Sequence, residues 1–460
     1  MRHDRIWCVK RIGENSRKGA CSAMFLAVAT FASLSVCAAD LQSQIDAAAE
    51  RGGGVVRVEA GEHETKPLLL RSNVTLELSE GAVLLASTNI ADYAAQEGGR
   101  CFIYAENVTN VAIVGRGTIA GRGWVFKERK GLSGASQPQQ LPIMMRFSRC
   151  RDVRLEDFTY RDCGAWGCHL QNCDGVAMRR VKCFSHVNNT NDGIDIESSN
   201  VVIEDCDIDS DDDALVFKTE SDKTFQVTNV VVRNCRLASC CNVLKFGTGS
   251  YCDFRDILVE DCRFGRPKGN FRFNWKRRYA DRGVKEDLTG LSGMSLEVVD
   301  GGRMENVTIR NIDLAGYIVP IFVRLARRNK PTDARGSYLR NVLIENVKGE
   351  CATSRNGCSI TGLPDLRPRD ITLRNVSLSF PGGGTAAERD RDVPEKERAY
   401  PEGVMFGRNL PAWAFYLRHA DNVTFDNVNL SLVGRDERDM VVEDDCTGVV
   451  RVVDETRRVP

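Results

Sequence analysis

The chain has 460 residues, 63 Lys and Arg against 63 Asp and Glu, 42% hydrophobic residues and 18 cysteines. Its balanced charge gives no electrostatic case for a nucleic-acid partner. The length suits one large domain, and no run beyond residue 39 is long and apolar enough to span a bilayer.

At the N-terminus, Arg5, Lys10, Arg11, Arg17 and Lys18 precede an apolar stretch from Ala20 to Ala39 that ends in small residues before Asp40. This reads as a signal peptide, residues 1–39, cut near Ala39, and predicts a secreted or periplasmic protein. A lipid anchor at Cys37 is less favoured, because Val36 is a poor residue before a lipidated cysteine. Cleavage removes six basic and two acidic side chains, leaving a net charge of about −4. The remainder, 40–460, is expected to be a single domain.

Leu41–Arg51, with Ile45 and an Ala run before Gly52-Gly53-Gly54, is the one clear amphipathic helix, and it fits a cap. Downstream a short motif recurs: a turn-residue pair, then Val or Ile, then an alternating polar/apolar run. Its instances begin at Val153, Val176, Val201, Val230, Ile257, Val307, Val342, Ile371 and Val423, in steps of 23, 25, 29, 27, 50, 35, 29 and 52 residues. Each long step is either one coil with an insertion or two coils. Five residues after each start stand Phe158, Val181, Cys206, Cys235, Cys262, Ile312, Val347, Val376 and Val428, an apolar column throughout. Short β runs at this period predict an all-β, right-handed parallel β-helix, whose coils must stack to bury their inner faces. A β-sandwich would explain the alternation but not the column.

Three cysteines lie in the signal region, and the fifteen left cannot all pair. Cys206, Cys235 and Cys262 occupy the apolar column and read as small buried hydrophobes. Bridges Cys163–Cys168 and Cys351–Cys358 are conceivable from spacing, and no spacing suggests zinc.

The chemistry concentrates between Asn189 and Lys218. An Asn191-Asp192-Gly193 turn precedes Asp211-Asp212-Asp213 by about one coil, with the strand Val201-Val202-Ile203 between them. Alone, the acidic run would be a solvated turn or a calcium site. Coils spaced about 4.8 Å apart, with some lateral offset, put carboxyl groups near the separation of about 6.5–9.5 Å that an inverting glycosidase needs to admit water. Two insertions fit cleft walls. Asn270–Asp287 mixes Phe271, Phe273, Trp275 and Tyr279 with Lys276, Arg277 and Arg278, and the other runs from Pro381 to Leu410.

The opening LQSQIDAAAERGGGVVRVEAGEHETKPLLLRSNVTLELSEGAVLLAS resembles the first coils of pectin-active β-helix enzymes. With GRGTIAGRGW and the two acidic turns, the chain resembles the polygalacturonase-like glycoside hydrolases of family 28 from about Leu41 to about His419. The resemblance implies an inverting hydrolase of pectic α-glycosidic bonds, without cofactor or metal, acting as a monomer on a polysaccharide or oligosaccharide. It also implies Asp212 as general acid, and Asp192 with Asp213 as the pair that holds and deprotonates water.

Two departures limit the likeness. Where the family has a Gly-His-Gly turn, this chain has CNVLKFGT, with Asn242 in place of the His. Where the family's Arg-Ile-Lys grips a uronate carboxylate, this chain has Ser295-Leu296-Glu297. The pattern resembles a divergent bacterial branch. Lys245, Arg324, Arg418 and His419 are candidate replacement cations, with Lys245 preferred for its offset within its coil, and Trp275 is a candidate sugar-stacking residue. A β-helix lyase using Lys245 and a non-catalytic carbohydrate-binding solenoid are the alternative readings.

Overall fold

In the computed structural model, which describes residues 41–93, 100–126, 141–188, 190–271, 288–329, 336–407 and 409–457, the repeat is a register. Val153 pairs with Val176, Val176 with Val201, and so on without a slip through Val230, Ile257, Val307, Val342 and Ile371 to Val423. Cys262, Ile312, Val347 and Val376 pair in the same way. Ile257 pairs directly with Val307 and Ile371 with Val423, so each long step is one coil carrying an insertion.

The fold is all-β and its ladders are parallel. Three ladders run along the molecule, beginning with strands Gly54–Val58, Gly61–Thr65 and Leu68–Leu69, and the chain visits them in turn. Between the first and second ladders each coil bends at one left-handed residue. Asp205, Asn234, Asp261, Asn311, Asn346, Asn375 and Asn427 have φ between 51° and 59°. Asn and Asp tolerate this region best among residues with a side chain. Their stacking has its own bonds: Asn311 donates to Asp261 at 2.7 Å, Asn346 to Asn311 at 2.8 Å and Asn375 to Asn346 at 2.9 Å. The turn pairs of the sequence motif end in a second left-handed column just before the first ladder, Asn200, Asn229, Asp256, Asn306, Asn341, Asp370 and Asn422, with φ between 51° and 58°.

Inward side chains of all three ladders form one continuous core. Each fully buried Val, Ile or Leu contributes about 1.5–3 kcal/mol. The helix Leu41–Glu50 buries Leu41, Ile45 and Ala48 in the same core. Gln42 accepts from the Leu69 amide at 2.8 Å and donates to its carbonyl at 3.0 Å, occupying an otherwise open strand edge. Gly53 turns the chain out of the helix at φ 130°, where an added Cβ would lie 2.5 Å from the Asn73 carbonyl.

All fifteen cysteines after residue 40 are free thiols, so neither conceivable bridge is present. Cys206, Cys235 and Cys262 are buried. The segment from Pro381 to Leu410 folds over the outer side of the third ladder. There Val393, Val404, Met405 and Phe406 pack on Leu291, Ile318, Val319 and Phe322. The proposed signal and Trp275, with most of its insertion, lie outside the described residues. Among the described residues no helix is long and apolar enough to cross a membrane.

Candidate active site

The third ladder sets the site. Cys168 pairs with Ile194, Ile194 with Leu215, and Leu215 with Leu244. The residues two before each, Trp166, Asp192, Asp213 and Asn242, therefore stack on four successive coils. Backbone bonds carry the stack: Gly167 N to Asp192 O at 2.8 Å, Gly193 N to Asp213 O at 2.8 Å and Ala214 N to Asn242 O at 2.9 Å. The Asn-Asp-Gly turn follows from packing. Asn191 is fully buried, accepts from the Val187 and Asn188 amides, and donates to the Cys163 and Ala165 carbonyls. A Cβ on Gly193 would sit 2.5 Å from Ala214 O, so no other residue fits.

Two lysines reach the buried carboxylates. Lys218 Nζ lies 2.6 Å from Asp195 and 3.4 Å from Asp192, and 3.8 Å from the centre of the Trp166 ring. Lys245 Nζ lies 3.0 Å from Asp213, whose other oxygen accepts from Asn242 Nδ2 at 2.6 Å. Asp192 and Asp213 are 4% and 3% exposed, whereas Asp212 is only half-buried and accepts from the Asp213 amide at 3.1 Å. Burial, then Asp195, pushes the Asp192 carboxyl well above the usual range, with Asp212 and Asp213 adding to it and Lys218 opposing. Crowded acids of this kind retain a proton that isolated ones would lose. Burial works to lower the pKa of Lys245, but Asp213, Tyr400 and Glu297 carry it well above its ordinary value.

Asn242 and Lys245 thus stand beside Asp213, and Glu297 lies close to them. Burial raises the Glu297 carboxyl to about 8; its Oε1 accepts from Ser295 at 2.6 Å, and its Oε2 has no hydrogen-bond partner. The other predicted cations are elsewhere. In coil order Arg324 lies three coils beyond Asp213 and Arg418 five, about 14 and 24 Å along the stack at 4.8 Å per coil. Arg324 donates to the Gly362 and Glu395 carbonyls. Arg418 meets Glu395 and Asp444, and His419 meets Glu395 and Asp445. These three side chains hold the 381–410 segment against the coils.

The acidic run is not a solvated turn. Asp209 and Asp211 are each 1% exposed and meet His186, at 2.9 and 3.4 Å, while Asp213 belongs to the stack above and Asp212 adjoins it. Lys218, Asp195, Trp166 and Tyr400 escaped sequence reading. Lys218 carried a signal, because it is the one charge in the outward row of the apolar strand Leu215–Thr219.

Beside the stack runs a buried chain. Arg146 Nε donates to His169 Nδ1 at 3.0 Å, which fixes the tautomer so that His169 Nε2 donates to Glu197 at 2.9 Å. Burial lowers the His169 pKa and keeps the ring neutral. Burial alone would raise Glu197, but donors from His169 and Ser221 bring it from 4.5 down to about 2. A depressed carboxylate stabilises the fold above its unfolded pKa, and that stability is lost as pH falls through the folded one. Glu197→Gln is therefore expected to flatten the melting temperature against pH between about 4.5 and about 2. An unchanged slope in thermal melts would refute the linkage.

Residues 55–264 match the model of the family described as glycosyl hydrolases family 28. A probable polygalacturonase of Vitis vinifera is 28% identical over 201 residues, 40% of this chain and 40% of that protein, so the chain spans less than half of that relative. A probable polygalacturonase of Arabidopsis thaliana is 23% identical over 69% of this chain and 72% of its own length. The solved family 28 exopolygalacturonase of Yersinia enterocolitica shares the fold, with a TM-score of 0.65 at 17% identity over 89% of this chain and 74% of that one. The family 28 model thus covers just under half of the chain, and at these identities the chain is similar to a divergent, polygalacturonase-like member of that family.

Proposed function

We propose that the protein is a secreted glycosidase that hydrolyses α-glycosidic bonds of a pectic polysaccharide, of galacturonan or rhamnogalacturonan type, with inversion. In this reading residues 1–39 are a signal removed near Ala39. Residues 40–460 form one right-handed parallel β-helix with Leu41–Glu50 closing its first coil, and the enzyme acts as a monomer without a cofactor.

The observation that carries the reading is the stack. Asp192 and Asp213 sit on consecutive coils, each beside its own lysine, and the less buried Asp212 adjoins them. Asp212 gives a proton to the glycosidic oxygen as the bond to the anomeric carbon breaks. Water held between Asp192 and Asp213 attacks that carbon from the opposite face and leaves its proton on one of them. The names of the relatives, polygalacturonases, support the pectic class. Asn242, Lys245 and Glu297 border the carboxylates and are the proposed sugar contacts. Lys245 is a poor base for elimination, since its ammonium is bound to Asp213 at 3.0 Å and its pKa is raised.

Digests of homogalacturonan and rhamnogalacturonan test this. New reducing ends are expected from one of them, with the β-anomer appearing first by NMR. A first α-anomer would overturn inversion, and an unsaturated, ultraviolet-absorbing product would overturn hydrolysis.

A further inference from the structure

We propose that His186, Asp211 and Cys240 form a structural site for a divalent transition-metal ion of the zinc class, beside the candidate catalytic turn but distinct from it. Ser185, Ser210 and Ser239 pair from coil to coil, so the residues that follow them stack on three consecutive coils. This column brings imidazole, carboxylate and thiol together, and one ligand atom of each lies within 4.8 Å of the others.

The separations suit a cation. His186 Nδ1 is 3.4 Å from Asp211 Oδ1 and 3.9 Å from Cys240 Sγ. Tetrahedral zinc with bonds of about 2.0–2.3 Å spaces neighbouring ligand atoms about 3.3–3.7 Å apart, so closing onto the ion needs only small side-chain movements. A nitrogen, oxygen and sulfur donor set is borderline soft, which favours zinc over calcium or magnesium.

The surroundings supply an independent sign. The far nitrogen of the ring, His186 Nε2, meets Asp209 at 2.9 Å, and Asp209 also accepts from Arg236 at 3.1 Å and from the Lys268 amide at 3.2 Å. A carboxylate that orients the non-ligating nitrogen of a histidine is the usual outer partner of a metal-bound imidazole. Gly269 closes the site: its carbonyl accepts from Cys240 at 3.0 Å, and a Cβ there would press on the His186 ring at 3.0 Å. Asp211 Oδ1 also accepts from the Phe271 amide at 2.5 Å, which holds it beside the imidazole and the thiol. Binding displaces the Cys240 thiol proton, and any proton on His186 Nδ1, to solvent.

The experiment is zinc and cobalt titration of the metal-stripped protein, followed by calorimetry and absorbance. About one ion per chain is expected, with a thiolate-to-cobalt charge-transfer band and a raised melting temperature. Cys240→Ser should lose the band and the bound ion. Asp209→Asn, which keeps all three ligands, should weaken binding about 10- to 100-fold and serves as the second test if Cys240→Ser fails to fold. A wild-type protein that binds no zinc, or a Cys240→Ser variant that binds it as tightly, would overturn the site. So would loss of the band in Cys241→Ser instead, since Cys241 lies with Asp212 and Asp213 in a separate cluster.

Discussion

Asp212→Asn is expected to lower kcat on the polymer about 10²- to 10⁴-fold, the usual contribution of a general acid, while the melting temperature stays close to that of the wild type. The fold survives because Asp212 is half-buried and its side chain accepts the neighbouring Asp213 amide at 3.1 Å. Asn keeps that acceptor. The diagnostic readout is an aryl glycoside with an acidic phenol as leaving group. Such a phenol departs without a proton, so Asp212→Asn should be nearly restored on it, whereas Asp213→Asn should stay inactive. Asp192 gives the test its edge, because burial and crowding raise its pKa well above the ordinary range. Restoration of Asp192→Asn, rather than Asp212→Asn, would move the acid role one coil down the stack.

Lys218→Met should be the most damaging single change to stability near the site. It leaves Asp192 and Asp195, 4% and 0% exposed, without their cation, and breaking a buried pair in this way costs about 3–5 kcal/mol. Lys245 gives no relief, since it is held by Asp213. Activity should fall too, because loss of Lys218 removes the charge that opposes the upward shift of the Asp192 carboxyl. The double variant Lys218→Met with Asp195→Asn removes one of the stranded charges and should recover a substantial part of the lost stability but not the activity. Urea denaturation of the three proteins decides the point. A single variant as stable as the wild type would show that the ion group is not under strain from burial.

The repeat was legible because β-helix coils leave a chemical trace at fixed positions. Inward Val, Ile and Cys must fill one core, and the bend between ladders needs a left-handed residue, so Asn or Asp recurs beside them. The two long steps were ambiguous for a physical reason. An insertion leaves the flanking strands free to pair as neighbours, and nothing local distinguishes that from an extra coil.

By itself the sequence determined the coil register outside the two long steps, the Asn-Asp-Gly turn one coil before the acidic run, and the placing of Lys245 one coil after that run. All three follow from period and alternation, which are properties of one strand read against the next. Only the tertiary structure decided that Lys218 serves Asp192, that Arg324, Arg418 and His419 anchor the 381–410 segment, and that the acidic run divides between His186 and the carboxylate stack. Those outcomes depend on lateral offsets between coils and on which segment covers each face. A side chain of one type serves equally well in either setting, so residue identity alone carries no record of the choice.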